Sequence, residues 1–90
     1  KIKFIWAMGN AYKVGKHRLT AMQNATYNFI KDSKKPRTIE QIVYGLYKDC
    51  IEGRTPDIWT HEAKTENVTK WCKTLVHLKL IKECDGKFNF

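Results

Sequence analysis

The dipeptide Asp85-Gly86 constrains this 90-residue chain more than any other feature in it. Asp-Gly between alternating apolar and polar residues is the strongest short-range signal for a β-hairpin with a two-residue turn. Such a turn fixes the register: Cys84 faces Lys87, Glu83 faces Phe88, Lys82 faces Asn89 and Ile81 faces Phe90. Ile81, Phe88 and Phe90 then share an apolar side, while Lys82, Cys84, Lys87 and Asn89 share a wet and basic one. Only Glu83 departs from that division. Directly upstream, over residues 65–79, Val68, Trp71, Cys72, Leu75 and Leu78 recur at helical spacing, with Lys70, Lys73, Thr74 and His77 on the opposite face. The stretch from Thr65 to Phe90 therefore predicts one amphipathic helix running into a hairpin over 80–90.

Two further helices are predicted upstream. Over 16–32, Leu19, Met22, Thr26, Phe29 and Ile30 make an inner stripe, with His17, Asn24, Asn28 and Lys31 outward. A polar loop containing Lys34, Lys35, Pro36 and Arg37 follows. Thr38, with Gln41 three residues on, reads as a capping box opening a helix over 38–52, whose apolar face is Ile39, Ile42, Val43, Leu46, Tyr47, Cys50 and Ile51. Gly45 inside it weakens the helix and marks a close crossing with another one. Residues 53–64 form a connection in which Pro56-Asp57 starts a single helical turn and Ile58 and Trp59 tuck back on the core. Residues 1–14 fit a strand by the alternation of Ile2, Phe4, Trp6 and Met8 and a helix by the spacing of Phe4, Ile5 and Met8; a short strand or arm is preferred.

Ninety residues make one domain, which hides only about 60 to 65% of its unfolded surface. Three Trp and four Phe supply a core and argue against disorder. No apolar run reaches the roughly 18 residues of a membrane span, so a membrane is not an expected partner, and no cleavable signal is present. Three cysteines, an odd number without a close pair, suit a reducing intracellular compartment, cytoplasmic or nuclear. The formal net charge of +8 is unevenly placed. Residues 1–37 hold nine Lys/Arg against Asp32 alone, while residues 38–90 hold eight bases and eight acids. A basic excess of this kind suggests a polyanionic partner, nucleic acid before a membrane surface.

Helix, loop, capped helix, connection, helix and hairpin is an order that resembles the winged-helix (winged helix-turn-helix) superfamily. The likeness is carried by TIEQIVYGL as the second helix and VTKWCKTLVHLKLIKECDGKF as the third helix plus wing, and it identifies an architecture rather than one member. Lys79 stands where such proteins often have a small residue or Gly, and the 53–64 connection is long for the family. The implied fold class is mainly α with a small β-hairpin, a three-helix core with a C-terminal wing. The resemblance implies that the 65–79 helix lies in a major groove and the wing touches the backbone. Asn67, Lys70, Lys73, Thr74 and His77 would then face bases and phosphates, and Lys82 and Lys87 would contact phosphates. Lys13, Lys16, Arg18, Lys34, Lys35 and Arg37 would hold a neighbouring stretch of backbone. The 65–79 helix has no Arg, the commonest specific base reader, so modest specificity is expected.

The expected function is thus nucleic-acid binding, with duplex DNA favoured and a role in transcription regulation. Docking of the domain onto a larger transcription or DNA-processing assembly is the alternative, and RNA or single-strand binding is a third. Exposed Trp6, Tyr12 and Trp59 would serve as a protein-binding patch in the second case. His17, His61, His77 and the cysteines show no paired ligand spacing, so no metal or other cofactor is expected, and Cys50 and Cys72 read as small core residues. No Gly-rich phosphate loop, nucleophile elbow or metalloprotease motif occurs, and no enzymatic activity is expected.

Overall fold

A computed structural model describes residues 12–90. The first element among these residues is a hairpin that periodicity hides. β1 (Tyr12–Val14) pairs antiparallel with β2 (His17–Leu19), with Lys13 opposite Arg18 and Gly15, at φ 61°, leading the turn. Leu19 is fully buried on its inner face and Val14 packs beside it, while Lys13, Lys16 and Arg18 are exposed. The first helix therefore starts later than Lys16. α1 (Ala21–Ser33) is opened by Thr20, whose Oγ1 accepts from Gln23 N at 3.2 Å while Gln23 Oε1 accepts from Thr20 N at 3.0 Å. This capping box satisfies two of the N–H groups that a helix start leaves without partners. Of the expected strand or arm over 1–14, and of Trp6, only positions 12–14 fall within the described residues.

The loop after α1 is also more ordered in pattern than expected. Arg37–Thr38 forms β3, and Thr38 at once caps α2 (Ile39–Leu46) by the Thr38–Gln41 box that the sequence announces. The expected 38–52 helix divides at Tyr47 into α2 and the short α3 (Lys48–Ile51). No helical turn forms at Pro56-Asp57. Instead Thr60 caps α4 (His61–His77), whose first turn begins four residues before the expected Thr65. Ile58 and Trp59 do not tuck back on the core: they are 80% and 48% exposed. The ion pairs of the connection, described below, hold the chain in a course that keeps both side chains outside.

α4 ends in a turn in which Leu80 N donates to Leu75 O at 3.0 Å and Lys79 N donates to Val76 O at 2.9 Å. This is the bonding of a Schellman motif, and its left-handed position, φ 64°, is held by Lys79. β4 (Lys82–Cys84) and β5 (Lys87–Asn89) follow, with the register Lys82–Asn89, Glu83–Phe88 and Cys84–Lys87 expected from the turn. Asp85 and Gly86 both have positive φ, as a type I′ turn requires. β5 also pairs with β3, so the hairpin is part of a three-stranded sheet in the order β3-β5-β4.

The fold is mixed α/β rather than mainly α with one hairpin: 53% of the described residues are helical, and they also form a two-stranded and a three-stranded antiparallel sheet. α1, α2 and α4 pack on one another. Their apolar faces meet in a core of Tyr27, Ile30, Ile42, Val43, Tyr47, Val68, Cys72 and Leu75, which Leu19, Ile81 and Phe88 close from the sheets. Phe90 is the exception to the expected apolar side of the hairpin, being 53% exposed; its ring meets Tyr27 edge-on at 5.7 Å, with Lys31 Nζ 5.9 Å above it. Gly45 does mark a close crossing. The Phe29 ring of α1 occupies the space where a Cβ at Gly45 would lie. Among the described residues no helix is long and apolar enough to cross a membrane.

Candidate nucleic-acid interface

Helical periodicity turns one stripe of α4 outward. Val68, Cys72 and Leu75, with Lys64 a turn earlier, are buried, so Glu62, Glu66, Lys70, Lys73 and His77 are left exposed at spacings of four, four, three and four. That stripe is polar in the electrical sense as well. Its N-terminal end is acidic and its C-terminal end is basic, the arrangement that best complements the helix macrodipole. It also decides where a polyanion can approach. Phosphates are repelled by Glu62 and Glu66 and attracted over Lys70, Lys73 and His77, the end that runs into Lys79 and the hairpin.

Two of the residues expected on this face are otherwise engaged. Asn67 is half-buried and its Nδ2 donates to Tyr47 Oη at 3.4 Å, so it points along the α2–α4 seam. Thr74 Oγ1 donates to the Lys70 carbonyl at 3.1 Å, and Thr65 and Thr69 bond back to the preceding turn in the same way. Lys70, Lys73 and His77 remain the free outer positions. On the hairpin, Lys82 and Lys87 are exposed on the outer face with Cys84 and Asn89, beside a hollow of 320 Å³ that Pro36 also lines. Because Phe88 is buried and β5 is paired on both edges, the hairpin is fixed against the helices, and its lysines keep a constant offset from those of α4.

The remaining cations occupy two other places. Lys13, Lys16 and Arg18 share the outer face and turn of the N-terminal hairpin, with Lys13 and Arg18 directly opposite each other. Like charges so placed repel, and neither pairs with a carboxylate among the described residues. Residues 1–11 contain no acid that could relieve them. Lys34, at φ 60°, is the left-handed residue that ends α1, and Lys35 beside it is exposed. Arg37 differs from these. It is half-buried in β3, and its Nε is buried with no hydrogen-bond partner among the described residues.

Lys64, which the sequence reading leaves in the 53–64 connection, lies in the first turn of α4. It is 4% exposed, donates to Asp57 Oδ2 at 2.8 Å and lies 5.7 Å from the centre of the Tyr47 ring. Its signal in the sequence is position: it falls on the apolar stripe of Val68, Cys72 and Leu75. A buried ammonium needs a partner, and Asp57 supplies it.

All three cysteines are free thiols. Burial, with the nearby Glu83 carboxylate adding to it, pushes the Cys72 thiol up to about 12. It is a packed core group, not a nucleophile. Among the described residues no group of three His, Cys, Asp or Glu is gathered closely enough to hold a metal ion. No family model, curated protein or solved structure matches the chain.

Proposed function

We propose that this chain is a winged-helix protein that binds nucleic acid, duplex DNA in preference, with a regulatory role and modest sequence specificity. The observation that carries the reading is the continuity of the basic end of α4 with the hairpin. Lys70, Lys73 and His77 lead through Lys79 into Lys82 and Lys87, and the β3–β5 pairing makes that hairpin a rigid projection. A helix with a hairpin fixed at its end offers a convex ridge for a groove and a flank for the adjacent backbone. The acidic start of α4 argues that the C-terminal half of the helix, rather than its first turns, makes the contact. The free residues there are Lys and His without Arg, which suits backbone attraction better than base discrimination.

Mobility-shift titration on a mixed-sequence duplex at two salt concentrations tests this. With about six phosphates contacted, affinity falls roughly a thousandfold between about 50 and 200 mM salt. Absence of any shift at the lower salt rules the reading out. Competition by single-stranded DNA and RNA then separates duplex binding from the other polyanions.

A further inference from the structure

The connection between α3 and α4 exposes two apolar side chains and keeps them exposed. Arg54 is clamped to Asp49 at 2.9 Å and Glu52 at 2.6 Å, and the Arg54 and Thr55 N–H groups donate to the Asp49 carbonyl. Asp57 is tied to the buried Lys64, and Thr60 caps α4. Ile58 and Trp59 project from between those last two fixed points. A solvent-facing Ile-Trp pair on a braced loop is the kind of surface that a partner covers.

The same chain carries a matching recess. A shallow groove of 540 Å³ runs beside α2, with Phe29 and Tyr44 as its aromatic surfaces. Gly45 makes it possible, because the Phe29 ring lies where a side chain would fill the floor. Arg37, Glu40 and Lys48 also line it, and the buried Arg37 Nε has no hydrogen-bond partner among the described residues. The volume lies within the range of pockets that receive small ligands or single large side chains.

Charge matches as well. Asp57 precedes the Ile58-Trp59 pair and Glu62 follows it, whereas the groove carries Arg37 and Lys48 against Glu40, a net of +1. Residues 49–62, outside the groove, hold four acids (Asp49, Glu52, Asp57, Glu62) and one base (Arg54), a net of −3 in a chain of +8. An anionic apolar loop is repelled by nucleic acid and drawn to a cationic, apolar protein surface.

We propose that Trp59, with Ile58 beside it, docks into the Phe29–Tyr44 groove of a second copy of this chain. Knob and groove are different surfaces, so the contact either is exchanged reciprocally about a twofold axis, closing a dimer, or repeats from copy to copy. The proposal stands whether or not the chain binds nucleic acid, and the protein alone tests it. Sedimentation velocity from low micromolar to near-millimolar protein should show mass rising with concentration. Trp59→Ala and Tyr44→Ala, both at exposed positions, should each weaken association roughly thirtyfold or more. Circular dichroism verifies that both variants remain folded.

The decisive measurement is the mixture. Trp59→Ala keeps an intact groove, and Tyr44→Ala, although it removes the hydrogen bond from Tyr44 Oη to Glu52, keeps the Asp57–Lys64 pair and the Thr60 cap on either side of the knob, so together they should form a two-chain species and nothing larger. A wild type that stays monomeric throughout overturns the proposal. So does a Tyr44→Ala variant that associates as the wild type does, or a mixture of folded variants that fails to pair.

Discussion

Residue by residue, the chain holds several side chains in places that cost it stability. Lys79 adopts the left-handed conformation that closes α4, where glycine is free of strain. Lys79→Gly should therefore raise stability by about 1 kcal/mol, read as a shift in the urea midpoint. The same change should weaken DNA binding if the side chain reaches a phosphate. Gly45 is the opposite case. Gly45→Ala forces the Phe29 ring aside and should cost about 1 to 3 kcal/mol, with Phe29→Leu in the same chain recovering part of it. Asp57→Asn leaves the Lys64 ammonium buried without its counter-charge. Since Asp57 is 38% exposed at its side chain, the expected cost is on the order of 2 kcal/mol, less than for a fully buried pair. Lys64→Met, which removes the charge and keeps the volume, should be nearly neutral by the same denaturation measurement. The cysteines give a chemical reading of the fold: Cys84 should react with a thiol reagent first, and Cys72 only as the protein unfolds. Bound duplex should slow the Cys84 reaction.

At the scale of elements, α4 divides into an anionic and a cationic half, and function should divide with it. Reversing charge at Lys70 and Lys73 should lower duplex affinity at least tenfold, whereas Glu62→Gln and Glu66→Gln should leave it unchanged or increase it, by titration at fixed salt. Much of this element was legible in the sequence. The apolar stripe of Val68, Cys72 and Leu75, the Asp85-Gly86 turn and the Thr38–Gln41 box each follow from a local rule, and the hairpin register follows from the turn alone. The start of α1 was not legible from periodicity, because Leu19 satisfies the helical stripe and the inner face of a hairpin equally well. A Thr-x-x-Gln pattern at Thr20–Gln23, the same as at Thr38–Gln41, was the signal that separates the two. β3 was illegible for a different reason. A two-residue strand has no period, and only its partner at Phe88 and Lys87, some fifty residues away, defines it. Ile58 and Trp59 were misplaced because hydrophobicity argues for burial, while the ion pairs that hold the loop outward, though local in sequence, leave no mark in periodicity or composition. Among the candidate contacts, outward positions on α4 could be read from spacing, but the engagement of Asn67 with Tyr47 depends on how α2 and α4 meet.

For the whole molecule, charge is segregated among the surfaces. The C-terminal end of α4 and the N-terminal hairpin are cationic, the β4–β5 hairpin carries Lys82 and Lys87 on its outer face against Glu83 and Asp85, and the 40–62 segment is anionic. Neutralising Lys13, Lys16 and Arg18 together should reduce the salt dependence of duplex binding by up to about three phosphate equivalents, with little change in sequence preference. The sheet adds a consequence in time rather than space. In the order β3-β5-β4 the middle strand is the last of the three to be synthesised, and each neighbour depends on it. While a ribosome is still making residues 87–89, β3 and β4 have no strand to join. The helices must hold their shape without the sheet until then, and a chain cut after Gly86 loses both ladders at once.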